Sequence, residues 1–167
     1  NFKNAFEVYK NVVEKDSGMK FGDDNFFDIA KYYPLGIVKY DKEIIVRDPI
    51  LVDEDNNIVL VGEIPLNSTI NILKGKDENL IKSSQLAIKK AMKNLECDVQ
   101  EYNVILFDCI SRSISLGDKF IDELVEIKKS INPTKNLFGA LTLGEIANNG
   151  NEYINFYNKT CVIGVLC

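Results

Sequence analysis

The chain has 167 residues, of which 46% are hydrophobic and 27% charged, and a formal net charge of −5. That length suits one globular domain whose core needs no staple. The negative balance and the lack of a basic block argue against nucleic-acid binding, and no apolar run is long enough to cross a bilayer, so direct membrane insertion is not expected.

Residues 2–15 carry Phe2, Ala5, Phe6, Tyr9, Val12 and Val13 at helical spacing, which predicts an amphipathic helix ended by Asp16-Ser17-Gly18. Asp24-Asn25 can cap a shorter helix through Tyr32, and Pro34 forbids its continuation. Three β segments follow, at about 43–52, 58–61 and 69–73. The first contains Pro49, which suggests a bulge or an edge position. Asp53 to Asn57 reads as a hairpin turn, and Asn67 as a left-handed turn residue.

The clearest helix covers 78–95, with Leu80, Ile81, Ser84, Ala87, Ile88, Ala91, Met92 and Leu95 in one stripe. Tyr102 to Cys109 reads as a central strand buried on both faces. A helix at about 118–131 follows, with Phe120, Ile121, Leu124, Val125 and Ile131 inward and Asn132-Pro133 as its stop. Leu137–Ile146 and Tyr153–Leu166 read as a long hairpin around Asn148-Asn149-Gly150-Asn151. The expected fold is α/β of the α+β type, a mixed, mostly antiparallel sheet with helices packed on it.

No histidine is present, so this chain alone cannot build a Ser-His-Asp or Cys-His nucleophile. Neither a Walker loop nor a G-x-G-x-x-G fingerprint occurs. The cysteines, at 97, 109, 161 and 167, form no Cys-x-x-Cys pair, so no metal site and no cofactor is expected. A reducing, cytoplasmic setting fits them best. The start on Asn1-Phe2, without an initiator methionine, suggests a domain excised from a longer chain whose N-terminal part is missing.

Charged groups at the ends of apolar β segments are the candidate site residues, because strand ends are rigid yet open. Arg112 follows the expected central strand, and its guanidinium can hold a carboxylate or pair with Asp108 or Asp118. Glu145 can face solvent, or accept hydrogen bonds from an ammonium or amide, with Gly144 allowing close approach. Arg47 is a cross-strand partner or a second anion ligand. Asn158 and Thr160 share a strand face and can point at a site or bond across strands. Cys109 is a candidate thiolate beside Arg112, although buried cysteine without an adjacent base is usually inert.

The ordered set Pro34-Leu35-Gly36, Arg47, Gly62-Glu63-Ile64-Pro65, Asp108-Cys109-Ile110-Ser111-Arg112, Phe138-Gly139, Gly144-Glu145-Ile146 and Asn158-Lys159-Thr160 resembles the FIST C-terminal domain, over about residue 5 to Leu166. The family takes its name from F-box and intracellular signal-transduction proteins. The chain departs from its pattern at Tyr157, where histidine is common, and at Asn67, where glycine is common.

The resemblance implies that residues 1–167 form a single FIST C-like domain, a non-enzymatic sensory module that binds a small molecule such as an amino acid. It implies a FIST N-terminal domain in the same polypeptide and a signalling output module as partners. Arg47, Cys109, Arg112, Gly144, Glu145, Asn158 and Thr160 match the motif and are the expected ligand-binding residues. Arg112 and Glu145 would suit the carboxylate and ammonium of an amino acid. The alternatives are a protein-interaction module of the F-box kind and, more weakly, an enzyme using Cys109.

Overall fold

Asn4 starts the first helix: its side-chain oxygen accepts the Phe6 and Glu7 amides at 2.8 and 3.2 Å, a cap of the kind that satisfies the orphan donors of a first turn. In the computed structural model, residues 3–39, 43–93, 102–148 and 154–166 are described. Phe2, Leu95, Cys97, Cys167 and positions 149–151 of the expected turn lie outside them. The chain divides into two compact units, Asn1–Gly75 and Lys76–Cys167.

In the first unit, α1 (Ala5–Ser17) ends at Gly18, whose φ of 73° is the left-handed C-cap that glycine adopts without strain. The short helix α2 (Phe26–Ala30) follows. Strand β1 (Leu35–Val38) lies between β2 (Ile44–Arg47) and β5 (Ile70–Ile72), both antiparallel to it. β3 (Pro49–Val52) and β4 (Ile58–Leu60) form the hairpin expected around Asp53, with a register shift after Pro49. The Asp53 carboxylate accepts the Asp55 and Asn57 amides and so shapes the turn. Tyr9, Val13, Phe21, Ile29, Ala30, Tyr33 and Leu35 form the core, and the Tyr9 hydroxyl donates to the Tyr33 carbonyl at 2.8 Å.

Two expectations change here. The segment 43–52 is two strands broken at the buried Asp48, with Pro49 at the first position of β3, where a missing N–H is tolerated. β1 itself was not expected. Its Gly36 packs under Ile44 and Leu73, where a Cβ would approach side-chain carbons to 2.6 and 2.9 Å, so the glycine serves strand packing rather than a turn.

The second unit opens with α3 (Asp77–Lys93). Strand β6 (Asn103–Cys109) leads directly into α4 (Ile110–Leu116), a short 3-10 turn at Gly117–Lys119, and α5 (Phe120–Lys129). Then come β7 (Leu137–Thr142), the hairpin of β8 (Glu145–Ala147) and β9 (Asn155–Tyr157), and β10 (Cys161–Leu166). β6 is central, antiparallel to β10 and parallel to β7. Val104 and Leu106 meet Ile88, Ile127 and Ile131 in the core.

The long hairpin is therefore real only at its tip. β7 and β10 both pair with β6 instead of each other, and the parallel β6–β7 pair is bridged by helices, as parallel neighbours require. β6 is buried on one face only: Phe107 on the other is 40% exposed. α4 was not expected, and Ile121 and Val125 of α5 are exposed rather than inward. The expected class stands, a mixed α+β fold with mostly antiparallel pairing.

Candidate ligand-binding site

Six of the seven candidate residues fall in the second unit, and Arg47 in the first. Arg47 closes β2, where its Nε donates to the Glu63 carbonyl at 2.9 Å and its Nη1 to the Val46 carbonyl at 3.0 Å. Partial burial lowers its pKa from the ordinary guanidinium value.

Arg112 is the third residue of the helix that leaves β6, in its first turn, and Asp108 lies four residues before it at the end of the strand. It is only 2% exposed. Its Nη2 pairs with Glu123 of α5 and donates to Ser84 Oγ at 2.8 Å and the Leu80 carbonyl at 3.1 Å. Nη1 donates to the Lys159 carbonyl at 3.3 Å. Nε lies 3.2 Å from Asp108 Oδ1, an ion pair without hydrogen-bond alignment. Burial works against the guanidinium charge, but Glu123 and Asp108 together outweigh it and hold its pKa above the usual value.

Asp108 is buried, and burial followed by the neighbouring Glu123 charge pushes its pKa up to about 7, although Arg112 pulls the other way. Neither of its carboxylate oxygens has a hydrogen-bond partner among the described residues, and the same holds for Glu123 Oε2. Glu123 and Ser84 were missed by sequence reasoning. The available signal was position: Glu123 sits three after Phe120 and four before Ile127, inside the apolar stripe of α5.

Glu145 heads β8 and is also buried. Its carboxylate accepts Thr142 Oγ1 at 2.7 Å and Thr160 Oγ1 at 2.8 Å, so it ties the end of β7 to the residue before β10. Asn158 is fully buried and reaches the Leu143 carbonyl through Nδ2 at 3.5 Å. Gly144 admits the Phe156 ring, which a Cβ would meet at 2.3 Å. Lys159, with φ of 54°, turns the chain between Asn158 and Thr160. Thr160 also receives the Cys109 amide on its carbonyl at 3.1 Å.

Cys109 is buried with its sulfur 3.2 Å from Ser111 Oγ, and burial raises its thiol pKa. Arg112 and Glu145 thus each hold protein partners, Arg112 among α3, α4 and α5 and Glu145 at the base of the β8–β9 hairpin.

A cleft of about 260 Å³ opens between α5 and β7, lined by Leu106, Asp108, Phe120, Leu124, Leu137 and Phe138 through Leu141. Asp108 is the one ionisable residue in that lining. A larger depression between α3 and α5 is lined by Glu78, Lys82, Asp122, Glu126 and Lys129 among others, a solvated charged face. No helix of the described residues is long and apolar enough to cross a membrane.

No curated protein and no solved structure matches the chain. The family model described as "FIST C domain" matches residues 5–148. It covers β6, Arg112, the lining of the cleft and Glu145, and it stops before Asn158 and Thr160. By that match the chain belongs to the FIST C domain family, a family of sensory domains in signal-transduction proteins.

Proposed function

We propose that this chain is a non-catalytic sensory module that binds a small molecule in the cleft between α5 and β7. The observation that carries the reading is the combination in that cleft of apolar walls with one buried carboxylate, Asp108, whose oxygens lack hydrogen-bond partners among the described residues. Concave apolar sites with a few placed polar groups are the usual form of small-ligand sites. The volume is below the roughly 300–1,000 Å³ typical of drug-sized pockets, so it favours a metabolite-sized ligand.

The ligand that fits is an amino acid with an apolar side chain. Its ammonium would meet Asp108 and its side chain the wall of Leu124, Phe120 and Leu141. This moves the ammonium partner from Glu145, which Thr142 and Thr160 already engage, to Asp108. Arg112 then sets the charge of the site from behind Asp108. The raised pKa and burial of Cys109 weigh against a thiolate nucleophile and so favour binding over catalysis. Within a longer polypeptide, a FIST N-terminal domain and an output module would read the bound state, in a cytoplasmic setting.

A second reading has its own observation. Phe107, Phe138 and Leu166 share the β6–β7–β10 face opposite the helices and are 40%, 49% and 50% exposed. A contiguous apolar face of that kind suits recruitment of a protein partner.

A thermal-shift screen against amino acids and small carboxylates separates the two. A ligand of the native state raises the melting temperature by mass action. The small-molecule reading expects an apolar amino acid to raise it, and Asp108→Asn to remove the effect in a variant that still folds. An unchanged melting temperature across the screen would turn the weight to the protein-recruitment face.

A further inference from the structure

Asp108, Glu123 and Cys161 come from β6, α5 and β10, and the antiparallel register sets Cys161 directly opposite Asp108. One ligand atom from each of the three lies within 4.8 Å of the others. Both carboxylates are at least nine-tenths buried, at 1% and 0% exposure. Three of their four oxygens, Asp108 Oδ1 and Oδ2 and Glu123 Oε2, have no hydrogen-bond partner among the described residues. Buried acceptors left in that state are costly and call for a partner.

We infer that Asp108, Glu123 and Cys161 form a binding site for a borderline-soft divalent cation, zinc being the natural choice. A thiolate with two carboxylates is a donor set that zinc accepts and that calcium or magnesium, which prefer oxygen alone, does not. Zinc–sulfur and zinc–oxygen bonds of about 2.3 and 2.1 Å bring tetrahedral ligand atoms to about 3.5 Å apart. Side-chain adjustments on the order of an ångström close the trio to that spacing.

Charge supports the assignment. Arg112 is the guanidinium that faces the trio, paired with both carboxylates. Two carboxylates and a thiolate against one guanidinium leave two negative charges, which one divalent cation cancels. Arg112 bonds the carboxylates from behind and orients them, as outer-shell partners of metal ligands do. The Cys161 sulfur loses its proton to solvent on binding, so loading strengthens as pH rises. Asp108 also lines the ligand cleft, so the cation and an ammonium would compete for it; Cys161 and Glu123 take no part in that lining, and a metal titration without any amino acid reads the cation site alone.

The test uses the metal alone. In a Cys97→Ser/Cys109→Ser/Cys167→Ser variant, Cys161 is the remaining thiol. Cadmium added to this chelator-treated protein should give a thiolate-to-metal charge-transfer absorbance at one equivalent. Glu123→Gln in the same background should weaken binding by about tenfold or more. In the wild-type chain, zinc should shift the urea dependence of iodoacetamide labelling at Cys161 to higher denaturant, read by mass spectrometry across the unfolding range, without any substitution. A missing charge-transfer band in the single-thiol variant overturns the assignment. If that variant does not fold, the same urea dependence of Cys161 labelling with and without zinc in the wild-type chain overturns it instead.

Discussion

Arg112 on α4 and Glu123 on α5 form an ion pair from which water is excluded, with side chains 3% and 0% exposed. The pair joins the helix that follows the central strand to the next helix, and through Ser84 and Leu80 it reaches α3 as well. Removing one member of a buried pair strands the other charge, which typically costs about 3–5 kcal/mol. Arg112→Ala and Glu123→Ala should therefore each lower the stability of the second unit by that order in denaturant unfolding. Arg112→Lys should recover little, because one ammonium cannot reach the Glu123, Ser84, Leu80, Lys159 and Asp108 positions that the planar fork spans.

Asp108 gives the protein a pH dependence of defined sign. Its folded pKa of about 7 lies above the ordinary value of 3.8, so the native state holds the proton more tightly than the unfolded chain. Stability should fall as pH rises from about 4 to about 7 and level off above that, for a total on the order of 4 kcal/mol. Asp108→Asn mimics the protonated form. It should flatten this slope, match the wild type near pH 4 and exceed it at pH 8, read by urea unfolding across that range.

Gly144 and Phe156 test the packing of the β8–β9 hairpin. Gly144→Ala puts a methyl where the Phe156 ring stands, and overpacking of that kind costs about 1–3 kcal/mol. Phe156→Leu should relieve part of the cost, so the double variant should be less destabilised than the two single effects added together.

Cys109 should resist alkylation in the native state near neutral pH. Its sulfur is buried and its thiol pKa is raised, so the reactive thiolate is both scarce and shielded. Labelling at Cys109 should follow the unfolding transition in urea. Fast labelling in the absence of denaturant would return the thiol to the functional candidates.

What the sequence made legible follows from locality. The helices α1, α3 and α5 announce themselves by periodicity, and the β3–β4 hairpin by its polar turn. Asn67 takes the left-handed conformation expected of it, with φ of 63°, which also accounts for asparagine at a position where the family commonly has glycine. β6 was placed centrally because its apolar run is dense.

The missed features are set by tertiary context. Ile110 to Leu116 has serine at three of its seven positions and no apolar stripe to announce a helix, yet folds as α4 with Ser111, Arg112, Ser115 and Leu116 buried. The turn signal after Asn148 spoke for the local β8–β9 pair, while β7 and β10 were claimed by β6 from far along the chain. At the candidate site, Arg112 and Glu145 were visible as charges at strand ends. Of their partners, Asp108 was named for Arg112, while Glu123 and Ser84 showed only as polar positions within the apolar stripes of α5 and α3, and Thr142 carried no mark of its contact. The trio of Asp108, Glu123 and Cys161 escaped a search for histidine and paired cysteines because each member stands on a different element.

The most direct measurement is a calorimetric titration of an apolar amino acid into the wild-type chain and into Leu141→Trp. Leu141 is 47% exposed at the mouth of the cleft, so an indole there fills the space without disturbing the core. Leu86→Trp, at a 56% exposed position of α3 outside the lining, serves as the control. Saturable binding to the wild type and the control, lost in Leu141→Trp, is the expected result. Equal binding to all three proteins, or binding to none, would contradict a ligand site between α5 and β7.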